Sequence, residues 1–368
     1  MDDKNYIGDY GVFASIVVAV IGVRVFSYPR ELATIVENDA WIVSITNGIL
    51  AILLFYMLCK IIEYNNYSDI CSIYQNNLGN LLSKIALISL LYYLISYISL
   101  GLRVLVEEIK MYLLERTPTE FIIICMILVG VYIVRLELET IVKFNEIAFL
   151  LMFIPAIFIF LFSFNETDFS NLLPILNNTT KNYFKATRYT LGRFSGIEII
   201  FLLLPFMKNK KNIKKVGTMS ISFITVFYFI VVVLCIAAFT VEETKILIWP
   251  GITLIKSIDI PGTFIERWEG ILMAVWIVYY FTTFINFYYF SSEITKKIFN
   301  FKDIKISCFC IIPFIYIIAL YPKDIVQLYK MISEYGSIMF LINLVLIPII
   351  LFIISYIKKK GGENAVVK

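Results

Sequence analysis

The sequence predicts an all-α integral membrane protein of ten transmembrane helices, arranged as a five-plus-five inverted repeat with helices 1 and 6 broken. Three observations predict it. The 368 residues are 60% hydrophobic and 16% charged, with a mean hydropathy of +0.84, whereas a soluble domain is roughly 45–50% apolar and about 25% charged. Uncharged apolar runs recur along the whole chain near the length that crosses a bilayer as helix, about 20 residues. Two of these runs are interrupted at corresponding places, and each opens a group of five, the pattern of transporter folds built from inverted repeats.

Eight runs are plain: 39–60, 85–102, 121–134, 147–165, 216–241, 270–292, 306–321 and 335–357. The first interrupted run covers 10–29, with Arg24 inside it and Pro29 after it. The second covers 186–207 and carries Gly192-Arg193-Phe194-Ser195-Gly196-Ile197-Glu198 before Pro205. Unwound backbone is tolerated within a membrane only where it is buried in protein or lines a cavity, so both interruptions are expected at a binding site. The expected organisation is a single membrane domain over 1–368. Its five-helix repeats are 10–164 and 186–357, and 358–368 is a cytoplasmic tail. Residues 64–83 are expected as a short amphipathic link. The long connections 165–185 and 242–265 are expected to hold short helices.

Ten spans place both termini on one side. Eighteen of the 32 basic residues fall on that side, twelve on the other, and Arg24 and Arg193 lie inside spans. The positive-inside rule makes the richer side, which carries Lys208, Lys210, Lys211, Lys214 and Lys215, cytoplasmic. The start, Met1-Asp2-Asp3-Lys4, lacks the basic segment of a signal peptide, so the first apolar run is expected to remain.

Composition excludes several functions. There is no His, so His-based proton relays, metal sites and catalytic dyads are out. The six Cys are scattered, and Cys308 and Cys310 lack two further metal ligands nearby. No metal, cofactor or enzyme activity is expected. A net charge of +4 spread along the chain does not suit nucleic acid.

Short strings now carry a resemblance. Ile21-Gly22-Val23-Arg24-Val25-Phe26 with Pro29, and Phe194-Ser195-Gly196-Ile197-Glu198, resemble the two broken helices of the amino acid–polyamine–organocation transporter superfamily. A narrower set comprises Asn171-Leu172-Leu173-Pro174-Ile175-Leu176, Lys143-Phe144-Asn145-Glu146-Ile147, Leu204-Pro205-Phe206, and Glu266-Arg267-Trp268-Glu269 followed by Trp276. Together these strings resemble the B subunit of bacterial spore nutrient-germinant receptors, over essentially the whole chain. The resemblance implies a spore inner-membrane receptor subunit with an A-type subunit and a C-type lipoprotein as partners, and a small nutrient, such as an amino acid, as ligand. The alternative is an amino-acid transporter of the same superfamily.

An amino acid presents a carboxylate and an ammonium. Helix N-termini at a break suit the first and freed carbonyls the second. Gly22, Val23, Phe194, Ser195 and Gly196 are therefore candidate ligand contacts, the glycines for close backbone approach. The alternative for each Gly is simple helix packing. Arg24 stands where superfamily transporters usually place a small residue. A charge inside a span is costly and usually paired, and Glu198 is the expected partner. That pair is either structural or part of the ligand site. Arg193 is expected at the membrane edge of its half-helix. Tyr97, Tyr279, Thr282 and Thr283 are candidate pocket walls, and the two Thr are similar to a hydroxyl pair that binds sodium in some relatives. Glu266, Arg267, Trp268, Glu269 and Trp276 are candidate structural or signalling residues. Glu266 and Glu269 share a helix face, and acids at a helix start are favoured by its dipole.

Overall fold

The computed structural model describes residues 6–164, 167–257 and 268–366. The described residues form helices and turns with no β-strand beyond one isolated bridge, Ile7 to Met207. Helix α1 (Asp9–Val20) ends at the first interruption. A 3₁₀ turn, Val23–Val25, follows, then α2 (Tyr28–Val36) with Pro29 in its first turn, where a missing N–H costs nothing. Helix α3 (Ala40–Tyr64) leads to α4 (Ile70–Tyr112), whose first turns are set off by Gly79 at φ +77°. Only glycine takes that conformation without strain, so the expected link before span 3 is a short helix of its own, N-capped by Asp69. Helices α5 (Thr119–Val134) and α6 (Leu138–Ser163) complete the first group.

The second group opens with α7 (Thr180–Thr190), a 3₁₀ turn at Leu191–Phe194, and the break. Another 3₁₀ turn (Ile197–Ile199), α8 (Ile200–Leu203) and a last turn (Leu204–Phe206) follow. Then come α9 (Ile213–Ile246), the short helix α10 (Pro250–Ser257), α11 (Trp268–Phe299) and α12 (Ile304–Leu320). The final segment is α13 (Ile325–Met331), α14 (Ser337–Phe340) and α15 (Ile347–Val366), joined by π-helical turns at Ile332–Gly336 and Leu341–Leu346.

Among the described residues, five helical stretches are long and apolar enough to cross a membrane. Two bent pairs raise that number to as many as seven. Helices α1 and α5 are apolar but shorter, at 12 and 16 residues. The expected ten spans require α1 to be completed across its break, α5 to cross at its own length, and α11 and α12, bent by 111°, to count separately.

Packing puts the interruptions at the centre. Helix α1 is held by α6, α9 and α11, α2 lies on α7 and α9, and α11 lies along α4. Helices α3 and α9 approach closely because Gly48 faces Thr225 and Gly217 faces Phe55, leaving no room for a side chain, the small-residue packing common in membranes. The amide of Ile7 donates to Phe206 O (3.1 Å) and that of Lys208 to Ile7 O (2.9 Å). The start of the first broken helix and the end of the second therefore share one side. On the other side the 167–178 connection folds over the start of α3. Asp39 there accepts the amides of Leu176 (2.6 Å) and Asn177 (3.0 Å) and the Tyr183 hydroxyl (2.7 Å).

Candidate functional site

At the first break, α1 stops because Ile21 turns extended and Gly22 follows at φ −108°, ψ −169°. Val17 O still accepts the Ile21 amide at 3.0 Å, and side chains of neighbouring helices reach this and the following carbonyls of the last turn. Thr283 Oγ1 donates to Val18 O at 2.6 Å, the Tyr279 hydroxyl to Val17 O at 3.5 Å, and the Tyr228 hydroxyl to Val20 O at 3.3 Å. Inside a membrane such groups need partners from the protein itself. Thr282 donates to Tyr279 O at 2.6 Å. The expected hydroxyl pair is thus spent on backbone carbonyls.

At the second break Gly196 sits at φ +123°, and a Cβ there would fall 2.8 Å from the backbone C and O of Ala19. Gly196 is where the two breaks touch, so only glycine fits. Gly22 carries no such demand, since its φ is negative and a Cβ would meet Thr283 at an ordinary 3.7 Å. Glu198 folds back on its own turn, accepting the Gly196 amide on Oε2 at 2.7 Å. Its Oε1 has no hydrogen-bond partner among the described residues. Ser195 Oγ donates to Gly192 O (2.8 Å) and accepts the Tyr93 hydroxyl (2.7 Å). The Tyr228 hydroxyl also lies 3.2 Å from Arg193 O, so a single phenol faces a carbonyl from each break.

The charges pair differently from expectation. Arg24 does not meet Glu198. The 3₁₀ turn carries its guanidinium over the Tyr97 ring, 4.4 Å from the centroid, a cation–π contact, and no carboxylate among the described residues pairs with it. Arg193 is buried within the protein, only 6% exposed. It forms a two-pronged pair with Glu31 on α2, with Nε to Oε2 at 3.0 Å and Nη2 to Oε1. The side chain of Ser27 supports Glu31 at 3.1 Å. The ion pair between the broken helices is therefore Arg193–Glu31.

A cavity of about 870 Å³ lies beside the breaks. From the broken helices it takes only residues of α2 and its lead-in turn and of α7 and its trailing turn, so it sits on the side opposite the N-terminus. Arg24, Tyr97 and Ser195 are in its wall, as are Arg193 and Glu31. Gly22, Val23, Phe194, Gly196, Glu198, Tyr279, Thr282 and Thr283 are not; they are packed in or against the breaks. The far wall comes from α13, the π-helical turn after it and α14, including Tyr329, Glu334 and Phe340 respectively. Sequence reasoning missed Glu31, Tyr93, Tyr228 and this stretch. Glu31, an acid just past a broken span, was the one available signal.

Trp276 stacks on Phe26 of the first break, with centroids 4.2 Å apart, and the amide of Gly251 on α10 donates to Phe26 O at 3.1 Å. Trp268 and Glu269 open α11; Glu266 and Arg267 lie outside the described residues. No group of three or more metal-ligating side chains occurs among the described residues.

Comparison with known proteins gives consistent relatives. Residues 6–328 match the family model described as Spore germination protein. Spore germination protein A2 of Bacillus subtilis (strain 168) is 30% identical over 342 residues, covering 93% of each chain. Spore germination protein B2 of the same organism is 27% identical over 351 residues, covering 94% of each. A solved structure, the substrate-bound outward-open state of a Na+-coupled sialic acid symporter, superposes with a TM-score of 0.65. It does so at 11% identity, over 93% of this chain and 79% of the other, a likeness of fold. Those relatives and that fold mark an integral membrane protein with a transporter-like architecture.

Proposed function

The chain belongs to the spore germination protein family, and from that premise we propose that it is the membrane subunit of a germinant receptor that binds a small nutrient, an amino acid, and triggers germination. The observation that carries this reading is Arg24. Its guanidinium lines the 870 Å³ cavity on a Tyr97 platform, with no carboxylate among the described residues engaged. A planar guanidinium in that position matches a ligand carboxylate in a two-pronged contact. Glu334 and the tyrosine hydroxyls of the same wall offer acceptors to an ammonium.

Binding would favour one packing of the broken helices over another by differential affinity, and the bias would pass to an A-type subunit and a C-type lipoprotein. In this reading the chain has ten spans in repeats 10–164 and 186–357. It sits in the spore inner membrane with both termini and the 358–368 tail cytoplasmic, supported by the charge asymmetry and by the Ile7–Met207 pairing. Its role is non-enzymatic.

Deleting the gene in the source spores and scoring germination across a panel of amino acids tests the proposal. Loss of response to one nutrient class is expected; an unchanged panel overturns it. The alternative, an amino-acid transporter, requires uptake of labelled amino acid into proteoliposomes that hold this chain alone.

A further inference from the structure

A second, smaller pocket lies on the other face of the first break. Its volume is about 50 Å³, and its wall contains Phe26, Met152, Ala156, Val231, Ile252 and Trp276. Every residue lining it is apolar or glycine, apart from the indole N–H of Trp276, which has no hydrogen-bond partner among the described residues. It is separate from the large cavity and shares no residue with it. An apolar cavity of this kind stays dry and accepts apolar guests. At roughly 10–15 Å³ for one water-sized group, it has room for about three to five such groups, the end of a chain rather than a whole molecule.

The surroundings indicate where such a guest comes from. The wall residues Ile159 and Phe160 are only half-buried, and the adjacent α6 positions Ile154, Ile157, Phe158 and Leu161 are 54–59% exposed on the face an apolar span presents to lipid. Across from them Ile255 of α10 is also half-buried. Among the described residues, these half-buried wall positions put the mouth of the pocket beside the exposed apolar face of α6, where α10 lies against it. We propose that it binds the end of a saturated hydrocarbon chain entering from the bilayer. Burial of apolar surface and close dispersion contacts supply the affinity.

The position gives the guest a task. Val25 and Phe26 of the wall directly follow Arg24 in sequence, so an occupant braces the break from the side opposite the nutrient cavity. It also touches α10, whose Gly251 amide holds the Phe26 carbonyl.

Trp276 in the wall reports occupancy. The full chain is reconstituted in two bilayers, one of phospholipid brominated near the chain end and one unbrominated with 1-bromohexane added. The difference in fluorescence between the parent and Trp276→Phe isolates the Trp276 signal. Bromine quenches at short range, so the buried indole (3% exposed) responds when a brominated carbon enters the pocket. Loss of that signal is expected in the parent and is expected to vanish in Ala156→Phe, which fills the pocket. Val231→Phe fills it from the opposite wall and serves if the first variant does not fold. Quenching by the lipid identifies an acyl chain as the guest, and quenching by bromohexane alone a free hydrocarbon. No loss with either probe, or equal loss in parent and filled variants, overturns the proposal.

Discussion

Arg193 and Glu31 tie the sixth helix to the first across their breaks, with Nε and Oε2 3.0 Å apart and the arginine buried. Each residue sits on the half of its helix that faces the large cavity, so the pair makes α2 and the α7 end one body. Removing one partner strands the other. Arg193→Met or Glu31→Gln should each destabilise by up to roughly 3–5 kcal/mol, less to the extent that water reaches Glu31, whose side chain is 26% exposed. The double variant should recover much of the loss. Thermal unfolding of the four proteins in detergent gives the coupling. Arg24→Met with Glu198→Gln, by contrast, should be additive.

The breaks differ in their tolerance of a methyl group. Gly196→Ala forces both a disfavoured φ and a clash with the Ala19 backbone. A loss of about 1–3 kcal/mol is expected from the backbone conformation alone, with a sharp fall in membrane-inserted protein. Gly22→Ala should stay within about 1 kcal/mol of the parent. Comparable stability of the two variants would contradict the close approach at Gly196.

Tyr228→Phe should cost about 1–3 kcal/mol, because the buried carbonyls of Val20 and Arg193 then lose their shared donor. Unfolding temperature is the readout. Tyr56→Phe, which removes one part-buried hydroxyl contact to Thr218, is the control and should cost less.

For ligand response, Arg24→Met should raise the nutrient concentration needed for germination by about ten- to a hundredfold. That is the equivalent of one charge-assisted hydrogen bond of roughly 1.5–3 kcal/mol. Arg24→Lys should fall between, because it keeps the charge and loses the planar fork. An unchanged dose–response in Arg24→Met would remove the carboxylate assignment.

Acid should weaken the link before span 3. Burial pushes the Asp69 carboxyl up, but the Ser72 hydroxyl and amide and the Lys297 ammonium outweigh it and hold the group below its ordinary value. A carboxyl lowered in the folded state contributes stability that is present above its unfolded value. That stability is lost as pH falls through the folded value, so the window lies below about pH 4. The unfolding temperature of the parent should drop more steeply from pH 5 to pH 3 than that of Asp69→Asn.

Both breaks were legible in the sequence because a charge or a glycine interrupts an otherwise apolar run, and lipid leaves such an interruption few explanations. Which charges meet was not legible. The partner of Arg193 depends on how far each 3₁₀ turn rotates the chain, and a turn of three residues carries no periodicity to read. Arg24 and Glu198 each stand two residues past the glycine of their break, yet one turn delivers Arg24 to Tyr97 and the other folds Glu198 onto Gly196. Tyr228 was hidden for a different reason. Among 24 tyrosines, nothing local distinguishes the one whose hydroxyl reaches two carbonyls. Thr282 and Thr283 were noticed, but their bonds to Tyr279 and Val18 follow from how α11 lies on α1, which is tertiary information.

Helix α4 is regular from beyond Gly79 to Tyr112. It meets the second break at Tyr93 and the start of α10 at Tyr112, whose ring lies 6.1 Å from that of Trp249, the residue before α10. At about 1.5 Å per residue the two points are roughly 28 Å apart, so a tilt of about 5° pivoting at Tyr93 carries the tip through about 2.5 Å. The helix is a lever arm: a tilt of a few degrees about the Tyr93–Ser195 contact, too small to register in the packing around it, would arrive at the Tyr112 end as a shift of ångströms.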